Sequence, residues 1–227
     1  MPQLYLKKYK LENFIVTYCK IKNKSVSLNG ELFFEGSQND DLTAFLGRLY
    51  KKTELNYPKF FKMDKLCKLG ILATELVIRN TPDFGTFSKN EIALVYSNNA
   101  SSLESDRTHA NAIADKQNYF PSPSVFVYTL PNIVLGEIAI KHKITGENAF
   151  FVSEHFDAEL MYSYTNILLK TKNAASVLCG WVNVDGPNAE AFVYCVKNLN
   201  FKQENGLDEY PDQKTHNSKN IQHLYSL

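Results

Sequence analysis

Four cysteines and five histidines are the side chains of this 227-residue chain with the most scope for nucleophilic, metal-binding or proton-transfer chemistry. Cys19, Cys67, Cys179 and Cys195 lie far apart and form no C-x-x-C pair, a spacing that fits neither a disulfide framework nor a zinc site. Cys179 and Cys195 stand inside apolar runs, where a thiol serves as a small buried hydrophobe. The sequence contains no P-loop, no dinucleotide glycine fingerprint, no H-E-x-x-H and no G-x-S-x-G elbow. No cofactor and no metal are therefore expected.

The elements that would position any site follow from hydropathy. Apolar residues recur at helical spacing over Asp40 to Lys52 and again over Met63 to Ile78, which predicts two amphipathic helices. Alternation at Leu11 to Tyr18 and Glu31 to Glu35 predicts short strands, with a turn at Asn29-Gly30. Glu91 to Ser97 reads as a buried strand leading through Asn98-Asn99 into a helix near Asp106 to Lys116, which carries His109. After the proline-punctuated passage Phe120-Pro121-Ser122-Pro123 and the break at Pro131, Asn132 to Lys141 reads as a helix. Gly146 marks a turn, Ala149 to Ser153 a strand, and His155 to Lys170 a helix with a stripe of Phe156, Leu160, Tyr164, Ile167 and Leu168. Val177 to Val184 and Ala191 to Val196 complete an alternating pattern that argues α/β layering on a mixed sheet. Beyond Gln203 the sequence turns polar, predicting one domain over residues 1–202 and a flexible tail over 203–227 that holds His216 and His223.

Composition bounds the partners. With 25 basic and 24 acidic residues the formal net charge is +1, without the electrostatic footprint of a nucleic-acid binder. The 15 phenylalanines and 13 tyrosines lack basic interleaving and read as core. Lys7, Lys8 and Lys10 precede an apolar stretch, Phe14 to Tyr18, too short for a signal-peptide core or a membrane span. A soluble protein of a reducing cytoplasm is expected, where the N-x-S triplets at Asn23 and Asn99 carry no weight.

The passage from Phe120 to Val184 resembles the N-terminal half of a beta-ketoacyl synthase. The resemblance runs through Pro123, the small-residue segment Leu130-Pro131-Asn132-Ile133-Val134-Leu135-Gly136-Glu137-Ile138-Ala139-Ile140, and the turn and strand Gly146-Glu147-Asn148-Ala149-Phe150-Phe151-Val152-Ser153. It continues into the helix Phe156 to Lys172 and the glycine-containing strand Ala174 to Val184. Order and spacing carry it, and about a third of the chain is covered clearly. It implies a thiolase-like layered fold with a mixed sheet and flanking helices.

In that family a strand turns sharply into a helix with a cysteine at the turn, whose thiolate is favoured by the helix N-terminus and takes up the acyl chain. Counted from Gly146, that position falls on His155, preceded by Glu154. Imidazole is a poor acyl carrier and its protonated form is disfavoured at a helix N-terminus. The family's two further catalytic histidines belong to a C-terminal half whose surroundings do not recur around His216 and His223. The chain is therefore similar to chain-length-factor subunits of the aryl-polyene, flexirubin and dialkylresorcinol pathways, which lack the cysteine and pair with a complete ketosynthase.

The resemblance implies a heterodimer with a full-length ketosynthase, formed through Asn148, Ala149, Phe150, Phe151, Val152 and Ser153, and contact with acyl carrier protein through that complex. It also implies an acyl tunnel to which the His109 helix contributes Ala110 and Ile113, unless that helix is simply solvated. Glu154 is read as a helix cap and His155 as filling the old site. Two other readings stay open at this point: a stand-alone enzyme in which His155 and Glu154 promote malonyl decarboxylation or acyl hydrolysis, and a homodimeric acyl-binding protein.

Overall fold

A computed structural model describes residues 13–115, 117, 119–198 and 213–227. The start of the first predicted strand at Leu11, the helix end at Lys116 and the beginning of the predicted tail lie outside the described residues.

Strand β1 (Asn13–Lys22) alternates buried and half-buried residues along its length, as expected of a strand with one face on a core. It folds back through Asn23 and Lys24, both at positive φ, into β2 (Ser25–Leu28), and again through Asn29 and Gly30 into β3 (Glu31–Glu35). Two residues at positive φ in a two-residue loop match the right-handed twist of the flanking strands. The sequence marks only the second turn, because lysine is not a residue usually associated with that conformation. Helices α1 (Leu42–Lys52) and α2 (Lys65–Asn80) follow, capped by the Asp41 and Asp64 carboxylates, which accept from the backbone N–H of Ala44 and Cys67.

The rest of the chain alternates strand and helix: β4 (Ile92–Asn98), α3 (Leu103–Ile113), α4 (Pro123–Val127), α5 (Ile133–His142), β5 (Asn148–Val152), α6 (Ala158–Lys170), β6 (Ser176–Asp185) and β7 (Asn188–Asn198). Among the described residues the strands form one mixed sheet in the order β3-β2-β1-β7-β6-β4-β5. β4 runs parallel to both β5 and β6, whereas β7 is antiparallel to β6 and β1. The seven residues of β4 are all buried, as befits a strand covered on both faces.

Two apolar layers sandwich the sheet. On one side α1, α2 and α5 pack through Phe45, Leu49, Leu69, Leu72, Val134 and Ile138 onto Leu94, Tyr96, Leu178 and Val182. On the other, α6 brings Met161, Leu168 and Leu169 against Val95, Val177, Cys179 and Trp181. Gly180 makes room for the neighbouring ring: a Cβ there would lie 2.4 Å from Tyr96, whose hydroxyl is 2.6 Å from Thr74 Oγ1.

Of the flexible tail expected over 203–227, the described part, residues 213–227, is ordered instead. Residues Lys214–Thr215 form a short strand, β8, paired with β1, and Ser218–Ser226 form a helix, α7. Asn217 caps α7 through the backbone N–H of Asn220, while Ile221 and Leu224 are buried in the same layer as α6. These residues belong to the domain. The apolar spacing of Ile221, Leu224 and Tyr225 behind Asn217 is the signal, diluted by the polar residues around it.

Candidate functional site: an open sheet edge and the turn beside it

β5 lies at the edge of the sheet, and β4 is its one partner among the described residues. Its position is set at Gly146, where a Cβ would meet the Ile92 carbonyl oxygen at 2.3 Å; only glycine lets the turn approach the start of β4 so closely. The ladder then runs from Leu94, which donates to the Glu147 carbonyl, to Ser153, which donates to the Asn98 carbonyl, both at 2.9 Å. Because successive residues of a strand alternate in the direction of their backbone groups, Glu147, Ala149, Phe151 and Ser153 face β4 while Asn148, Phe150 and Val152 present N–H and C=O to the open edge.

The side chains of β5 leave the strand above and below the sheet. Phe150 packs with the α2–α5 layer, and Phe151 meets Tyr164 of α6 edge-on at 5.2 Å. Val152 is 57% exposed. Exposed apolar side chains recur on the helices: Ile140 on α5, Ile167 on α6, and Phe126, Val127 and Leu130 on or just after α4. α5 itself is held by two buried carboxylates. Glu137 pairs with Lys59 at 2.7 Å and accepts from Tyr128 at 3.2 Å. Glu75 of α2 takes Lys141, His142 and Arg79. Burial pushes the Glu75 carboxyl up, but hydrogen bonds from His142 and Lys141 outweigh it and hold the group down to about 2.

The turn from β5 into α6 departs from the sequence expectation. α6 begins at Ala158, and the residue capping it is Asp157, whose Oδ1 accepts from the N–H groups of Glu159 (3.0 Å) and Leu160 (2.9 Å). Glu154 is therefore not the cap, and His155 stands three residues before the first helical residue. Both side chains are out in solvent, 88% and 84% exposed, with His155 Nε2 3.6 Å from Glu154 Oε1. Phe156 turns inward instead, within a cluster of Trp181, Phe192 and Tyr225. The residue at the counted nucleophile position thus has neither the burial nor the helix-terminal N–H groups that would activate it. Ser153 to Glu159 line a shallow, open depression of about 620 Å³, closed on its far side by Ser218, Lys219 and Gln222 of α7.

The other sequence-selected residues are placed as follows. Ala110 is exposed and Ile113 half-buried on α3, while His109 lies 5.3 Å from Phe126 ring to ring. The Asp106 carboxylate accepts from the Ser102 hydroxyl. All four cysteines are buried and free. Burial raises each thiol, Cys179 to about 12, so none is poised as a thiolate. Among the described residues no three His, Cys, Asp or Glu side chains are grouped to hold a metal, and no helix is long and apolar enough to cross a membrane.

No family model matches the sequence, nor does any curated protein. Solved structures do match, and they establish a ketosynthase, thiolase-like fold: a mixed sheet with helices on both faces. The ishigamide ketosynthase/chain length factor matches with a TM-score of 0.63 at 12% identity, covering 82% of this chain and 62% of its own. A type II PKS acyl-carrier protein in complex with its ketosynthase bound to the hexaketide gives 0.63 at 13% identity, covering 87% of this chain and 65% of its own. A ketosynthase in complex with its chain length factor from Xenorhabdus doucetiae gives 0.53 at 13% identity, with 83% of this chain and 79% of its own covered. The chain spans under two thirds of the length of the first two.

Proposed function

We propose that this chain is a chain-length-factor-like subunit that pairs with a complete, cysteine-bearing ketosynthase through the edge of β5 and forms part of the wall around a carrier-bound acyl chain. The observation that carries the reading is the open edge itself. Among the described residues Asn148, Phe150 and Val152 leave backbone donors and acceptors unpaired along a short strand whose Val152 side chain is exposed. A bare edge of this kind is a template for a further strand, and soluble proteins ordinarily blunt one with charge, proline or a bulge. None of these stands between Asn148 and Val152.

The likeness to ketosynthase and chain length factor complexes supports the choice of partner. The turn supports a non-catalytic role for this member of the pair, since no thiol stands between β5 and α6. In this reading α3, with Ala110 and Ile113, borders the acyl chain, acyl carrier protein is met through the complex, and the product is of the polyene-pigment class. The setting is a reducing cytoplasm, in which four free thiols persist.

The test is the native mass of the tagged chain co-expressed with the full-length ketosynthase encoded nearest to it. A stable one-to-one complex is expected. A monomer, or a homodimer that persists unchanged beside the ketosynthase, would overturn the proposal, and the homodimer would point to an acyl-binding protein working as two copies.

A further inference from the structure

One wall of the depression beside the β5–α6 turn is α7, reached from the sheet through β8. β8 holds to β1 over two residues, and the His216 N–H donates to the Asn13 carbonyl at 2.8 Å. Behind it, α7 lays Ile221, Leu224 and Tyr225 over the apolar floor. The Tyr225 ring sits 4.3 Å from Phe156 and 5.8 Å from Phe192, and its hydroxyl donates to Glu190 Oε1, which also accepts from Trp181 Nε1 at 2.7 Å. Lys20 Nζ donates to the Tyr225 carbonyl at 2.7 Å.

His216 lies at the root of this segment, 4% exposed, and among the described residues neither ring nitrogen has a hydrogen-bond partner. Its imidazole packs 5.3 Å from Tyr162 of α6 and 6.3 Å from Tyr194 of β7. The titratable groups that meet it from the packed elements are these two phenols and, next to Tyr194, the Cys179 thiol of β6. β1 contributes the neutral Asn13, and Lys197 of β7 points to the opposite face, where it donates to the Pro82 carbonyl. Besides His216 itself, the segment's own ionisable side chains are Lys214, Lys219, His223 and Tyr225, whose phenol donates to Glu190. Among the described residues no carboxylate reaches the ring. A proton on His216 would leave a cation buried without a counter-charge or an acceptor.

We propose that β8 and α7 form an acid-released latch over the Phe156–Phe192 floor, with His216 as its proton-sensing catch. Latched, the imidazole is neutral and the depression is shallow. Released, His216 is solvated and protonated, and the floor beneath the β5–α6 turn opens to ligands or to a partner. Burial holds the His216 imidazole down to about 3, against an ordinary value of 6.5 in the released segment. The released state therefore binds the extra proton between those limits: the latch is fully set above pH 6.5 and loosens about tenfold per pH unit as pH falls below it. The latch does not depend on what occupies the β5 edge.

Hydrogen exchange of the full chain between pH 7.5 and 5, corrected for the intrinsic exchange rate, tests this alongside the fluorescence of Trp181, the chain's one tryptophan. Protection of the Ile221 to Tyr225 amides is expected to drop about tenfold or more between pH 6.5 and 5 while β6 and β7 stay protected, with a matching change in emission. In His216→Phe, which keeps a ring between Tyr162 and Tyr194, the α7 response is expected to be flat. Protection in α7 that does not change with pH, or that falls together with β6 and β7, overturns the latch. So does an unchanged response in a folded His216→Phe. If that variant does not fold, the wild-type exchange profile decides alone.

Discussion

Val152→Pro separates the two uses of β5, because the Val152 N–H faces the open edge whereas the Phe151 N–H faces β4. Proline at 152 removes one outward donor and puts a ring where the incoming strand's carbonyl would sit, without deleting a bond of the β4–β5 ladder. One lost interchain hydrogen bond is worth about 0.5–1.5 kcal/mol, and the partner carbonyl left buried and unsatisfied adds about 1–3 kcal/mol. The expected loss is about 2–4 kcal/mol, or roughly 30- to 1,000-fold in Kd for the co-expressed ketosynthase. The isolated variant, altered at a side chain 57% exposed, is expected to melt within a few degrees of wild type. Phe151→Pro is the contrasting control: it breaks the ladder and the Tyr164 contact, so its Tm is expected to fall before binding is considered. Calorimetric titration of the two folded variants against the ketosynthase gives the Kd. An unchanged Kd for Val152→Pro would refute the assignment of the partner to this edge.

His155→Ala is expected to leave both the Tm and the turnover of the ketosynthase complex within about twofold of wild type, because the side chain is 84% exposed and its one charged neighbour is 3.6 Å away in solvent. Loss of a hydrolytic or decarboxylating activity measured on the purified single chain would reverse that assignment. The Glu75 cluster gives a pH signature of the opposite sense from a raised pKa. Its carboxyl is held at about 2 in the fold against 4.5 unfolded, so its contribution is complete above pH 4.5 and lost as pH falls toward 2. The pKa difference sets a ceiling of about 3 kcal/mol, which solvent screening around Lys141, His142 and Arg79 lowers to about 1–2 kcal/mol. Urea titrations at pH 6 and pH 3 measure it, and Glu75→Gln is expected to remove that part of the slope; an identical slope in the variant would show that α5 is held by packing alone.

The layered α/β architecture was legible because its signals are long-range and periodic: the stripes of α1 and α2 and the unbroken apolar runs of β4 and β6. The start of β5 was legible for a local reason, as Gly146 marks the turn before it. What escaped is set by short-range competition or by tertiary context. The start of α6 depends on which of Glu154, His155 and Asp157 supplies the cap. The choice falls to Asp157 because Phe156 is drawn into the Trp181–Phe192–Tyr225 cluster, a contact between residues up to 69 positions apart in the chain. α7 was hidden for a similar reason: its burial rests on Ile221 and Leu224 alone, too few apolar positions to lift a polar window. Which backbone groups of β5 stay unpaired follows from sheet order, and sheet order is not written in hydropathy.

The inward turn of Phe156 also bears on what the turn can do. A nucleophile at the head of a helix needs its side chain aimed at substrate while the first-turn N–H groups remain free to stabilise charge. Here two of those N–H groups are taken by Asp157, and the side chain next to His155 is committed to the core. Restoring a thiol at the counted position would therefore not restore its activation. His155→Cys would place the sulfur on an exposed segment three residues short of the helix, where its pKa is expected to stay near the free-thiol value of about 8.5 rather than fall. The rate of iodoacetamide labelling against pH reads this directly, since Cys19, Cys67, Cys179 and Cys195 are buried. A labelling midpoint below about pH 7 would mean that the turn still activates a nucleophile, and the proposed non-catalytic role would fall.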